Sequence, residues 1–248
     1  MVALLLAVCL AAQDDAAATE AITAFDATLS KSKDPSARVA AVSTLGKTHH
    51  EKVVGRLVNV LSHDEKGLRV AAAQTLATFK DSPELARSAA HGLAGALSAG
   101  ANQKEPEVLV ALYAAIGHLQ EESSANVLKS HFDEKDSQIA QAAISAAGDL
   151  KSKSLVEPLI DELRDLEKKA QDPAQSGTAR PMKVKSSSKG GGSGEAPADP
   201  ETQKRVRAQN LLPAVLGALS TLTGQNFPNS AEWEKWWSKN RSSFTPSK

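Results

Sequence analysis

The sequence predicts an all-α fold: a right-handed α-solenoid of four to five stacked antiparallel helix pairs, ending in a Trp-rich helical cap. Three observations carry that expectation. The chain repeats itself at shifts of 31 to 40 residues, each copy opens on an amphipathic run of helical period, and no stretch sustains the period-two alternation of a strand.

The copies can be laid on one another directly. "DPSARVAAVSTLGK" from Asp34 superposes on "EKGLRVAAAQTLAT" from Glu65 at a shift of 31 residues; a further 40 gives "EPEVLVALYAAIGH" from Glu105, and another 31 gives "DSQIAQAAISAAGD" from Asp136. An acid stands first in every copy, placed to accept orphan N–H groups or to face the positive end of the helix dipole. Pro35 and Pro106 follow two of these acids, at the first helical position, where the missing donor costs nothing. Ala37, Leu68, Val108 and Ile139, then Ala41, Ala72, Leu112 and Ala143, then Leu45, Leu76, Ile116 and Ala147 fall at i, i+4 and i+8, one face of a helix. Ala40, Ala71, Ala111 and Ala142 are small enough to let neighbouring helices approach, and Gly46, Gly117 and Gly148 fall near the helix ends.

Each copy is followed by a second amphipathic run: "EKVVGRLVNVLSHD", "SPELARSAAHGLAGALS", "SANVLKSHF" and "SLVEPLIDELRDLEKK". In the last, Leu155, Val156, Leu159, Ile160, Leu163 and Leu166 share one face. The extra residues around "SAGANQKE", between the second and third copies, fit a longer loop on one edge of the stack. Residues 16–30, with Ile22, Phe25 and Leu29 at helical spacing, read as an N-terminal helix over the first repeat.

These units resemble the short bacterial HEAT repeats, whose pattern runs D-P-x-x-R-V-x-A-A-x-x-L-G and then V-x-x-L-x-x-x-L-x-D. The match is best at Asp34 to Gly46 and Val54 to Asp64, and it extends over roughly residues 34–170. The resemblance implies a repeat domain over residues 16–170 that serves as a scaffold. It also implies an arginine ladder between units, which Arg38 and Arg69 continue and Leu109 and Ala140 break off. The same fold hosts enzymes, among them the di-iron deoxyhypusine hydroxylases with several His-Glu pairs, but His50-Glu51 is the single pair in this chain. His49, His63, His91, His118 and His131 read as surface or loop residues, with His63 helping to satisfy carbonyls at a helix end.

Between residues 171 and 203 the period vanishes into "DPAQSGTARPMKVKSSSKGGGSGEAPADPETQ", whose composition suits a flexible linker and cannot bury a core. Residues 204–248 then form a C-terminal helical cap. "KRVRAQNLLPAVLGALSTLTG" carries Val206, Leu211, Leu212, Val215, Leu216, Leu219 and Leu222 to a stop at Gly224, with Pro213 a candidate kink. Asn229 and Glu232 form a capping pair for a last helix holding Trp233, Trp236 and Trp237 on one side. That ending also resembles a tail found in secreted bacterial HEAT-repeat proteins. It reads as a lid over the open apolar edge of a solenoid, or as an aromatic anchor for a partner or a glycan.

"MVALLLAVCLAA" at residues 1–12 has the apolar core of a signal peptide and is too short to span a bilayer. The expected product is exported to the periplasm or beyond; Cys9 makes a poor lipoprotein site, because Val8 stands where such sites need a small residue. Cys9 is the single cysteine, so cleavage would leave no thiol for a disulfide or a metal. With 29 basic and 29 acidic residues, no global field favours nucleic acid, and the repeat arginines lack the interleaved aromatics of a nucleic-acid face. Neither a catalytic constellation nor a phosphate loop is visible. The sequence therefore points to a monomeric, noncatalytic scaffold for a protein partner, without cofactor or metal, whose binding candidates are Arg38, Arg69, Trp233, Trp236 and Trp237; a HEAT-fold accessory enzyme or lyase is the alternative.

Overall fold

The computed structural model describes residues 2–171 and 199–246, with side chains from residue 14 onward. All regular structure among the described residues is helical. α1 (Val2–Lys31) leads into the pair α2 (Pro35–Leu45) and α3 (Glu51–Val60), then α4 (Lys66–Leu76) and α5 (Pro83–Leu97). A short α6 (Gly100–Gln103) precedes the third pair, α7 (Pro106–Leu119) and α8 (Ala125–Lys129), and α9 (Ser137–Asp149) with α10 (Val156–Ala170) makes the fourth. α11 (Pro200–Thr223) and α12 (Ser230–Asn240) complete the chain. The first helices α2, α4, α7, α9 and α11 stack on one another in sequence, and the second helices pack behind them, so the core lies between two rows.

The predicted stripes are the core. Leu68, Val108, Ile139, Ala72, Leu112, Ala143, Leu45, Leu76, Ile116 and Ala147 are all buried, whereas Ala37 and Ala41 on the first helix of the stack are only partly covered. Two of the four acids cap as expected: Asp34 accepts from the Ser36 amide, and Asp136 from those of Gln138 and Ile139. Glu65 and Glu105 make no such bond. Glu65 instead reaches Arg38, and Glu105 lies 4.0 Å from Lys66, so the longer side chain bridges helices rather than closing its own.

The glycines do fall near helix ends, and their position serves a second role. Gly46 ends α2 with an ordinary right-handed φ of −65°, and Gly117 and Gly148 lie inside their helices. Each sits where the next first helix touches. A Cβ on Gly117 would lie 2.7 Å from the Ala146 carbonyl oxygen, and one on Gly148 would lie 2.8 Å from Ala218 Cα. Absence of a side chain therefore sets the spacing of the row.

That last contact fixes the register of α11. Ala218 meets Gly148 as Ala146 meets Gly117, which places Leu211, Val215 and Leu219 in the buried stripe of a fifth first helix. α11 begins at Pro200, capped by Asp199, earlier than the residue-204 boundary expected; the rest of the expected linker, 172–198, lies outside the described residues. α11 is one helix through Pro213 and stops at Gly224, whose φ of 70° is the left-handed conformation glycine tolerates.

α12 leaves the pattern. Ser230 bonds Glu167 of α10, and Glu234 pairs with Arg164 one turn earlier, so α12 runs antiparallel to α10 where a fifth second helix would run parallel. The lid expected at the C-terminus is thus this one reversed helix.

Candidate functional site

The second-helix row holds the largest departure from regularity. α3 and α5 are in close contact, with Gly92 against Val58, but "SANVLKSHF" forms only a turn at Glu122–Ser124 and the five residues of α8. Leu128 and Phe132 are buried beneath it, and the short helix reaches neither neighbour along its length. Two open grooves result.

One groove, of 760 Å³, lies between α5 and α8 and is lined by Arg87, Ser88, His91, Ala94, Ser123 and Val127 among others. Its surface is mostly apolar, with Arg87 3.9 Å from Glu121 at the rim. The other, of 830 Å³, separates α8 from α10 and is rich in charge, including Lys129, Asp133, Asp161, Glu162, Arg164 and Lys168. Burial raises the Glu162 carboxyl above the usual glutamate range, although Lys169 opposes it. Burial likewise raises the Asp149 carboxyl and the Tyr113 phenol; Tyr113 packs edge-on against His131, 5.5 Å away. Among the described residues no three His, Cys, Asp or Glu side chains converge as metal ligands would.

The residues singled out from sequence lie at the two ends, away from the grooves. Arg38 Nη1 donates to Glu65 at 2.5 Å and its Nη2 lies 3.4 Å from His63. The His63 ring does not serve a carbonyl: its Nδ1 accepts the Glu65 amide, as Nδ1 of His50 accepts that of Lys52 at the start of α3. Arg69 is buried. Its Nη1 donates to Asn102 Oδ1 at 2.7 Å, and Asn102 Nδ2 in turn donates to the carbonyls of Leu61 and Ala96. The stretch expected as a loop therefore folds as α6 to deliver an amide that stands where the next unit's acid stood for Arg38. No feature of "SAGANQKE" marks Asn102 for that position.

Trp233, Trp236 and Trp237 are brought together with Phe227 and Phe244 in one aromatic cluster, with ring centroids 4.9–6.2 Å apart. Trp233 is fully buried, its indole N–H donating to the Phe227 carbonyl at 3.1 Å. Trp237 is 9% exposed and Trp236 is partly exposed. Asn229 caps α12 through Glu232 as its spacing predicts.

Such a stack of helix pairs, each contacting only its neighbours, is an α-solenoid. Residues 22–94, from the middle of α1 into α5, match the family model for HEAT repeats, and the helices beyond them continue the same stacking. HEAT repeats generally mediate protein interactions. No curated protein matches the chain.

Proposed function

We propose that this protein is a noncatalytic interaction scaffold of the bacterial cell envelope, binding a protein partner through the second-helix row on either side of α8. The observation that carries this reading is the pair of grooves opened by the five residues of α8 in a row whose other members are 10 to 15 residues long, α12 included. The buried polar groups support a scaffold over an accessory enzyme or lyase. Arg69 with Asn102, Ser152 with Glu122, Thr223 with the Leu219 carbonyl and Ser230 with Glu167 are spread along the stack and each serves a structural bond. Burial of Trp233 and Trp237 weighs against the tail as a glycan platform.

Export rests on the apolar residues 1–12. Asp15, paired with His50 at 3.1 Å and Lys52 at 2.9 Å, is the first described residue of α1 to grip the body, so removal of the leader leaves these contacts in place. Intact mass of the exported product tests this, and a product that retains residues 1–12 contradicts it.

Photo-crosslinking tests the binding face. A crosslinker at Ser88 or Lys168, in the two grooves, is expected to capture an envelope protein, whereas one at Gln74 or Gln141, exposed on the first row, captures none. Equal capture at all four positions, or none, overturns the assignment.

A further inference from the structure

Two histidines accept the same kind of backbone bond and differ in what their other ring nitrogen meets. His50 Nδ1 accepts the Lys52 amide at 3.1 Å, and its Nε2 lies 3.1 Å from Asp15 Oδ1. A neutral imidazole carries one proton, so placing it on Nε2 satisfies both contacts. His63 Nδ1 accepts the Glu65 amide at 3.0 Å, but its Nε2 lies 3.4 Å from Arg38 Nη2, a group that can only donate. With the proton on Nε2 this ring points a donor at a donor; with the proton on Nδ1 it gives up the Glu65 amide instead. The neutral ring therefore keeps one of its two contacts. The imidazolium keeps neither, and it sets a second cation beside the guanidinium.

The surroundings leave that cation without a partner. Among the described residues His50 and His131 enter ion pairs with Asp15 and Glu134, and His63 enters none. The Glu65 carboxylate is engaged by Arg38 Nη1 at 2.5 Å. On the elements that meet here, Asp34 caps α2, Arg56 of α3 holds Asp26, Lys66 of α4 meets Glu105 and Glu107, and Arg69 bonds Asn102. Asp64, beside His63 in the chain, is exposed. The cluster is also a tie between the first two units, because Arg38 belongs to α2 and Glu65 opens α4 without capping it.

We infer that His63 makes the joint between α2 and α4 acid-responsive: protonation of its ring releases the Glu65 amide, repels Arg38 and frees the first turn of α4. The opened joint takes up the proton without those losses, so closure weakens as pH falls. This device goes beyond the scaffold reading and does not depend on it. At His50 the same proton loses the Lys52 amide but strengthens the contact with Asp15, so the first unit itself carries no such weakness.

Hydrogen exchange of the full chain tests the joint at the amides of Leu68 and Arg69, which bond the Glu65 carbonyl. Protection, corrected for intrinsic exchange, is compared at the two ends of the span in which imidazoles take up a proton, about pH 8 and about pH 5. It is expected to fall about five- to tenfold in acid at these amides and to stay level at Ala143 and Ile144 in α9. His63→Asn supplies an oxygen that accepts the Glu65 amide and takes no proton, so the fall should vanish in that variant. Arg38→Gln keeps a donor without the charge and should cut the fall to less than half, and His50→Asn should leave it whole. The proposal is overturned by protection that does not change, by a fall that survives in His63→Asn or is undiminished in Arg38→Gln, or by one that His50→Asn abolishes. A rise in acid overturns it too, since the protonated ring would then have turned to a carboxylate, and so does an equal fall in α9, which would be global unfolding.

Discussion

In the first row, Gly117 and Gly148 let the next helix come so close that a single Cβ would collide with its backbone. In the second row, Gly92 meets the Val58 side chain, but Gly55 and Gly95 face open space, and α8 stands between two grooves. The same repeat thus yields a close-packed wall and a looser one. The wall sets the spacing of the pairs; the looser row leaves two open grooves on either side of α8.

Changes at the two ends and in the two rows should separate these roles. The largest loss is expected at the cap. Trp233→Ala removes a fully buried indole and should cost about 3–5 kcal/mol in denaturant unfolding, while an aqueous quencher of the unaltered protein reaches chiefly Trp236. Asn102→Leu leaves the buried Arg69 guanidinium without its acceptor and should cost about 1–3 kcal/mol, an effect that shrinks when Arg69→Met is introduced with it. Gly148→Ala should destabilise by about 1–3 kcal/mol through overpacking against Ala218, yet Gly55→Ala on the other row should stabilise by up to about 1 kcal/mol, because it relieves a helix-interior glycine and meets no neighbour. A loss at position 55 as large as that at 148 would break the comparison.

The smallest expected effect is one of sign with pH. Burial raises the folded-state pKa of Glu162, so the contribution of this group is fully present below the ordinary glutamate range and is lost as pH rises through its folded value. Glu162→Gln should therefore raise the melting temperature near pH 7, and the gain should vanish below about pH 4, where the carboxyl is protonated folded and unfolded alike.

Much of the wall was legible, because periodic apolar columns and acids at helix starts record burial and capping locally. The glycines were legible as positions and misleading as roles: near a helix end, a glycine that stops a helix and one that admits a neighbour look alike. Asn102 was hidden because its partner, Arg69, is 33 residues away and the bond depends on how α6 folds. The reversal of α12 was hidden for the same reason, since Ser230 and Glu167 are 63 residues apart. The arginines, chosen from the family ladder, and the tryptophans, chosen for rarity, take part in contacts within the structure, whereas the grooves arise from what "SANVLKSHF" fails to form, a full-length helix.

Residue-resolved hydrogen exchange under native conditions tests the two-row account most directly. Amides in the middle of α7, α9 and α11 are expected to exchange only with global unfolding, and those of Ala125–Lys129 through a local opening of distinctly lower free energy. Protection in α8 equal to that in α7 would contradict the account.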